Sequence, residues 1–122
     1  MTNLIYLAGP YSYNPPLAFE MHMQYAAHLM REGHLIFSPI LHNHQLSKTY
    51  ALPTDFTFWK RYNKALLAQC KEMWVIAEGL LWKNSAEVRN EIEFANSLDM
   101  PISYIAYCSE LSVMVRSTTS FN

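Results

Sequence analysis

Short apolar runs that alternate with helical segments constrain the fold of this chain more than any other feature. The runs are "LIYLA", "HLIFSP", "MWVIA" and "ISYIA", and segments with helical spacing lie between them. Strands that are apolar throughout are typical of a parallel sheet covered on both faces, and helical crossovers connect such strands. The alternation therefore predicts an α/β fold with a parallel sheet of four or five strands, in which the tail "ELSVMVRSTTSFN" can supply the fifth strand.

Proline and glycine residues set the ends of several predicted elements. Pro15 and Pro16 open the first helix, because proline is tolerated in the first helical turn, and Gly33 ends that helix as a C-cap. Pro39 stops the second strand. A long loop is predicted to follow, from Ile40 to about Thr54.

Two further helices are predicted from apolar residues that recur every three or four positions. One helix runs from about Phe56 to Gln69. Its residues predicted to face the core are Phe58, Tyr62, Ala65 and Leu66. The other helix starts after Ser85, a good N-cap residue. Its residues predicted to face the core are Val88, Ile92 and Ala95.

The composition indicates a single compact domain over residues 1–122. Hydrophobic residues make up 51% of the chain and charged residues 16%, a balance typical of a globule with a sizeable core. The net charge of -1 provides no basic field for a phosphate polymer, so binding to nucleic acid polymers is not expected. Aromatic residues reach 14%, and exposed Met23, Trp59 and Tyr62 predict a homodimer or higher homo-oligomer.

The cysteines and the apolar runs indicate the compartment. Cys70 and Cys108 form no Cys-x-x-Cys pair, so free thiols in a reducing compartment are expected. No signal peptide opens the sequence, and no apolar run approaches the length that spans a membrane. A cytoplasmic protein without a membrane partner is therefore expected.

Phosphate-loop and dinucleotide motifs are absent, so kinase-like and classical dinucleotide chemistry have no motif support. Two other loops remain open to more than one interpretation. "GPYS", residues 9–12, offers backbone N–H groups to an anion or forms an ordinary turn. "HNH", residues 42–44, is a candidate for metal binding, but no further His or Cys pair accompanies it, which favours a loop that hydrogen-bonds or stacks on a ligand.

Asp55 lies at the predicted start of the second long helix, in "TDFTFW". Capping by Thr54 or Asp55 is the usual role of these residue types at that position. The functional alternative places Asp55 and Trp59 on the rim of a ligand crevice, and both interpretations are compatible.

Glu91 is the carboxylate of greatest interest, in the stretch "NSAEVRNEIEFA" that spans residues 84–95. Its spacing from Val88 and Ala95 places it at the edge of the helix face that packs inward, whereas Glu93 points toward solvent. In parallel α/β sheets the ligand crevice lies at the carboxyl ends of the strands, next to this helix start. The side chain is either a structural carboxylate in the field of the helix N-terminus or a nucleophile that attacks an anomeric carbon.

Taken together, the segments resemble the nucleoside 2-deoxyribosyltransferase superfamily, and most closely its short phage and bacterial branch described as domain of unknown function 1937. The matching segments are "IYLAGPYS", "GHLIFSPILHNH", "DFTFWKRYNKALLAQCKEMWVI", "SAEVRNEIEFA" and "MPISYI". They cover most of the chain up to about Ile105, in the same order. No single motif is decisive, but the ordered set is fairly specific.

The resemblance implies a flavodoxin-like three-layer sandwich and chemistry at the N-glycosidic bond of a nucleoside or nucleotide, without a metal or organic cofactor. It implies that Glu91 is the nucleophile that forms a glycosyl-enzyme intermediate. Asp55 is the second catalytic candidate. The candidate substrate-binding residues are Tyr6, Gly9, Pro10, Tyr11, Ser12, His44, Trp59 and Ser85, of which the resemblance itself implies residues 9–12 and Ser85. Among these, Ser85 matches a position that holds the sugar phosphate in the nucleotide-hydrolysing relatives.

Two departures from the family pattern concern acidic residues. Lys71 stands where relatives usually carry an Asp just before the third strand, and Asn63 stands where this branch often has Asp. The "D-x-G-T" segment of the transferases is also absent. An alternative therefore remains, in which the same crevice binds a nucleotide or a nucleotide-derived signal without turnover.

Overall fold

The computed structural model describes residues 3–53, 55–108 and 113–119. Within these ranges the chain forms five strands and four helices. In chain order they are β1 (Leu4–Ala8), α1 (Pro15–Arg31), β2 (Leu35–Phe37), α2 (Pro39–Tyr50), α3 (Phe56–Leu67), β3 (Glu72–Ile76), α4 (Ala86–Ser97), β4 (Ile102–Cys108) and β5 (Val113–Ser117). The predicted α/β class is therefore confirmed.

The strands form one sheet in the order β2-β1-β3-β4-β5. Strands β1 to β4 pair in parallel, and β5 pairs antiparallel with β4. The prediction of an all-parallel sheet is wrong for β5, because only residues 109–112 separate it from β4 and a parallel crossover needs a dozen or more residues. The strand order is that of the flavodoxin-like class, with which the fold is consistent.

The centre of the sheet carries the core. Residues Met73 to Ile76 of β3 are all buried, as the apolar run predicts. Successive residues of β1 contribute alternately to two hydrophobic clusters, because side chains alternate along a strand. Strand β2 lies at the sheet edge, and Leu35 is 52% exposed, so the prediction that the second strand is buried is wrong for Leu35.

Helix α2 replaces the long loop predicted from Ile40 to Thr54. Ser38 caps the helix by accepting a hydrogen bond from the Leu41 N–H at 3.2 Å, and Pro39 takes the first helical position. The buried face of α2 includes the polar residues Asn43 and Ser47. An apolar period was therefore missing from the sequence, which explains why this helix was not predicted.

Helix α3 lies in the predicted place, but a different face points inward. Trp59, Asn63 and Leu67 are buried, whereas Phe58 is 47% exposed and Tyr62 is 44% exposed. Ala65 is also exposed and Leu66 is half-buried. The predicted inward face is wrong because a hydrogen bond from Asn43 allows the polar Asn63 to be buried.

The exposure of the residues that predict an oligomer is mixed. Met23 and Tyr62 are exposed, but Trp59 is only 7% exposed within the single chain, so that part of the prediction is wrong. Among the described residues, no helix has the length and apolar character needed to cross a bilayer. Both cysteines are free thiols.

Candidate functional site

Glu91 and Tyr6 form the innermost pair of the candidate site. Ser85 caps α4 by accepting a hydrogen bond from the Val88 N–H at 3.3 Å, as predicted, and Glu91 lies in the second turn. The Tyr6 hydroxyl donates a hydrogen bond to Oε2 of Glu91. Tyr6 is fully buried and Glu91 is 7% exposed, so strand β1 and helix α4 hold the carboxyl group in place from two sides.

Burial raises the pKa of the Glu91 carboxyl to about 7; the negative charge of Glu87 adds to this rise, and the hydrogen bond from Tyr6 opposes it. Burial and the neighbouring Glu91 carboxylate raise the pKa of the Tyr6 hydroxyl well above its usual value. Near neutral pH, Tyr6 is therefore a constant hydrogen-bond donor, and Glu91 is divided between its charged and neutral forms.

Glu87 lies one turn before Glu91 and accepts a hydrogen bond from the Ser12 hydroxyl. This contact ties the loop after β1 to the first turn of α4. Burial raises the pKa of the Tyr11 hydroxyl, and the charge of Glu87 adds to that shift. The field of Glu87 therefore acts on Glu91 and on Tyr11, two residues of the candidate site.

Tyr11 also contacts His44, which α2 supplies. The Tyr11 hydroxyl lies 2.6 Å from Nδ1 of His44, and the Phe19 ring stacks on the imidazole with centroids 4.3 Å apart. Burial lowers the pKa of His44, and the positive charge of Lys48 adds to this shift. His44 is therefore held by a hydrogen bond and by an aromatic face, next to the loop of residues 9–12.

Two cavities open at this end of the sheet. The first, called here the amide cavity, has a volume of about 30 Å³ and is lined by residues that include Asn43, His44, Trp59, Asn63 and Glu87. Asn43 Nδ2 donates a hydrogen bond to Asn63 Oδ1 at 2.9 Å, so two carboxamides form part of its wall. The amide cavity has room for about one water molecule.

The second cavity, called here the loop cleft, has a volume of about 210 Å³. Its walls are the loop after β1 and the start of α4, including Pro10, Tyr11, Ser12, Ser85 and Glu87. Tyr11 and Glu87 line both cavities, so the two spaces share one boundary. Glu91 lies one helical turn further along α4.

The remaining predicted site residues take different positions. Asp55 is exposed and caps α3 by accepting a hydrogen bond from the Phe58 N–H at 3.3 Å; Thr54 lies outside the described residues. Trp59 lines the amide cavity, and its Nε1–H donates a hydrogen bond to the Pro53 carbonyl at 2.7 Å. Asp55 lines neither cavity, so the structure shows its capping role alone.

His42 and His44 face different neighbours. The His42 ring stacks on Tyr62 with an interplanar angle of 14°, and its Nδ1 lies 2.9 Å from Oδ1 of Asn43. In the described ranges, no group of three or more His, Cys, Asp and Glu side chains could hold a metal ion together. The "HNH" stretch therefore supplies stacking and hydrogen bonds to this end of the molecule.

Of the two departures from the family pattern, only Asn63 belongs to the site. The Lys71 N–H donates a hydrogen bond to the Leu4 carbonyl at 2.8 Å, which places Lys71 at the amino end of parallel strands β1 and β3. The loop of residues 9–12 follows the opposite end of β1. Lys71 is thus at the wrong end of the sheet to serve as a charge partner for a ligand in the loop cleft.

His22 is a buried residue near the site that the sequence did not reveal. It is fully buried on α1, and a Cβ atom on Gly9 would lie 2.8 Å from its Nε2. Neither ring nitrogen has a hydrogen-bond partner of good geometry among the described residues. Burial lowers the pKa of His22 to about 4, and the Pro10 backbone opposes this shift. In the sequence, the helical spacing of His22 from Ala18 and Leu29 indicates that His22 lies on the buried face of α1.

Two larger grooves lie elsewhere on the surface. One, of about 650 Å³, runs along α1 and contains the Glu78 carboxylate, which accepts a hydrogen bond from the Tyr25 hydroxyl at 2.6 Å. The other, of about 840 Å³, lies over α2 and α3 next to exposed Phe58 and Tyr62. Glu87 lines the two smaller cavities and neither groove, whereas the buried Glu91 and Tyr6 line none of these four spaces, and Glu91 lies behind Glu87, one helical turn further along α4.

The fold and the site define an α/β protein with a polar cleft at the carboxyl end of β1 and the amino end of α4. The model of a family described as a domain of unknown function (DUF1937) matches residues 3–107, and the chain belongs to this family. A comparison with curated proteins finds no match.

Proposed function

We propose that this protein cleaves or exchanges the N-glycosidic bond of a nucleoside or nucleotide, with Glu91 as nucleophile. The observation that carries the proposal is the buried Tyr6–Glu91 pair, which lies one helical turn from the residue that bounds the loop cleft. The three-layer flavodoxin-like sandwich implied by the resemblance and the homo-oligomer predicted from exposed apolar residues form part of the same proposal. The resemblance to nucleoside 2-deoxyribosyltransferases, from which the role of Glu91 is taken, also supports it.

In this mechanism a carboxylate oxygen of Glu91 attacks the anomeric carbon of the sugar. The bond between that carbon and the base nitrogen breaks, and the base leaves with the electron pair and takes up a proton from solvent water. The resulting glycosyl ester is resolved by water, which yields free sugar, or by a second base, which yields a new nucleoside. The oxocarbenium-like transition state is stabilised by the negative charge of the carboxylate.

The neighbouring groups have supporting roles. The Tyr6 hydroxyl engages Oε2 of Glu91, which fixes the carboxyl orientation and leaves Oε1 for the attack. Tyr11, Ser12 and His44 lie beside the loop cleft or the amide cavity, where they can orient the sugar and the base. The carboxamide of Asn63 lies in the wall of the amide cavity, where it offers hydrogen bonds to a water molecule in place of an acid that could protonate the base.

Release of free base from a panel of nucleosides and nucleotides, followed by chromatography, tests the proposal. Glu91→Gln keeps the shape of the side chain and removes its charge, so the rate is expected to fall by orders of magnitude while the fold survives. Glu93→Gln, on the exposed side of the same helix, is the matched control and should keep the wild-type rate.

The same assay has a pH signature. Because the nucleophile must be charged and the pKa of Glu91 is about 7, kcat/KM should fall tenfold per pH unit below about pH 7. A Glu91→Gln protein with the wild-type rate would remove Glu91 from the mechanism. A loss confined to Glu87→Gln would transfer the role of nucleophile to Glu87.

The second candidate function is binding without turnover, and Asn63 favours it, because an amide replaces a potential proton donor in the wall of the amide cavity. Ligands of the native state raise the melting temperature by mass action. A thermal shift with nucleosides or nucleotides, without any release of base, would therefore select this alternative. Absence of both signals would contradict both functions.

A further inference from the structure

We infer that Glu87 makes this site select substrates with an uncharged 5′ end, that is, nucleosides rather than nucleoside 5′-phosphates. The inference rests on the proposed function, because it assumes that the loop cleft receives the sugar.

The position of Glu87 is the first argument. Its side chain is half-buried in the first turn of α4 and lines both the loop cleft and the amide cavity. A ligand that fills the space between the loop of residues 9–12 and α4 must therefore lie next to this carboxylate.

Glu87 also counteracts the features of the cleft that would otherwise hold a phosphate. A helix N-terminus attracts anions, and hydroxyl groups commonly add hydrogen bonds to a bound phosphate. Here the Glu87 carboxylate already supplies negative charge to the first turn of α4, and the Ser12 hydroxyl donates to it. A phosphate would have to displace this contact.

The charge balance of the loop cleft is the third argument. None of the described residues that line this cavity is an arginine or a lysine. A phosphate dianion in the cleft would face the negative charge of Glu87 without a positive side chain among those residues to offset it. A hydroxyl group on the sugar has the opposite property, because it can donate a hydrogen bond to the carboxylate.

Ser85 does not reverse this balance. Its hydroxyl accepts a hydrogen bond from the Val88 N–H as the N-cap of α4, and the residue carries no charge. The position that resembles a phosphate-binding serine is therefore occupied by a capping residue, two positions before a carboxylate in the same cleft wall.

The experiment compares nucleosides with the matching 5′-monophosphates for each base. Wild type, Glu87→Gln and Glu93→Gln are compared by equilibrium binding and by kcat/KM for base release. Gln can still accept the hydrogen bond from Ser12, so the substitution mainly removes charge. Wild type should prefer the nucleoside, and Glu87→Gln should shift the ratio toward the monophosphate by about tenfold. Glu93→Gln should leave the ratio unchanged.

Ribose 5-phosphate serves as a probe without a base, and Glu87→Gln should bind it more tightly than wild type does. The shift should shrink as salt is raised, because charge repulsion at a partly exposed site is screened. A wild-type preference for monophosphates, or an unchanged ratio in Glu87→Gln, would overturn the role of Glu87 and leave the proposed function standing. If no variant binds any nucleoside or nucleotide, the proposed function and this inference both fall.

Discussion

Glu91 and His22 are two buried titratable residues near the same loop, and burial acts on them in opposite directions. Glu91 lies on α4, accepts a hydrogen bond from Tyr6 and has a pKa raised to about 7. His22 lies on α1, packs beneath Gly9 and has a pKa lowered to about 4. In both cases burial favours the neutral form, but only Glu91 then titrates near neutral pH.

The comparison separates the proposed nucleophile from a packing group. Glu91 retains 7% exposure and lies near a cleft that a substrate can fill, whereas His22 is fully sealed and stays neutral down to acidic pH. The hydrogen bond from Tyr6 fixes one carboxyl oxygen of Glu91. The close contact with Gly9 gives His22 a steric role under the loop of residues 9–12.

The two residues also have opposite effects on stability. The unfolded chain protonates His22 near its usual pKa of 6.5, so this group lowers stability as pH falls from about 6.5 to about 4. The folded protein holds a proton on Glu91 up to about pH 7, whereas the unfolded chain releases this proton near pH 4.5. Glu91 therefore lowers stability as pH rises from about 4.5 to about 7. Between about pH 4.5 and 6.5 the two effects nearly cancel.

The largest expected effect follows from Glu91→Gln, which removes one of the two opposing groups. The free energy of unfolding should then fall on acidification from about pH 6.5 to about 4, by at most about 3 kcal/mol, because only the His22 effect remains. Urea denaturation at several pH values measures this slope. A variant whose stability stays flat over this range would show that His22 does not titrate as a buried group.

A somewhat smaller effect of opposite sign is expected for His22→Leu, since Glu91 keeps some solvent contact. The free energy of unfolding should fall as pH rises from about 4.5 to about 7, by up to about 3 kcal/mol. Near pH 7 the variant should stay within about 1 kcal/mol of wild type, because the imidazole makes no well-formed hydrogen bond among the described residues. In the double variant His22→Leu with Glu91→Gln, the free energy of unfolding should no longer depend on pH through either residue. A pH dependence that persists in the double variant would belong to another titratable group.

The smallest effect is expected for Gly9→Ala, which adds a methyl group 2.8 Å from Nε2 of His22. The crowding should cost about 1–3 kcal/mol of stability, as small-to-large changes in packed regions do. Gly9→Ala combined with His22→Ala should cost less than the sum of the two single changes, because the second change makes room for the added methyl group. Strictly additive effects in a denaturation series would show that the two residues are not coupled.

The sequence predicted the strands well because their apolar runs are continuous. The run "MWVIA" lies at the centre of the sheet, and the tail supplies a fifth strand at Val113–Ser117; residues 110–112 and 120–122 of that tail lie outside the described residues. Helix α1 also begins at Pro15 as predicted; its C-cap is Glu32, and Gly33, the predicted C-cap, follows one residue later with a φ of +95°. Each of these features depends on local properties of consecutive residues.

The prediction failed where polar side chains are buried. Asn43 and Asn63 lie on different helices and hydrogen-bond to each other, so neither contributes to an apolar period that a sequence displays. The same contact explains why α2 was expected to be a loop and why α3 was predicted to face inward along Phe58 and Tyr62. The satisfaction of a buried amide depends on a partner 20 residues away.

By itself the sequence determined the class of fold, the order of its elements and the place of Glu91 at the start of a helix beside the carboxyl ends of the strands. Only the tertiary structure decided which residues share that place: Tyr6 with Glu91, Ser12 with Glu87, Asn63 in a cavity wall and Lys71 at the far end of the sheet. The physical reason is the range of the interactions. Apolar periodicity and capping act between neighbours in the chain, whereas the Tyr6–Glu91 and Ser12–Glu87 contacts join residues 85 and 75 positions apart.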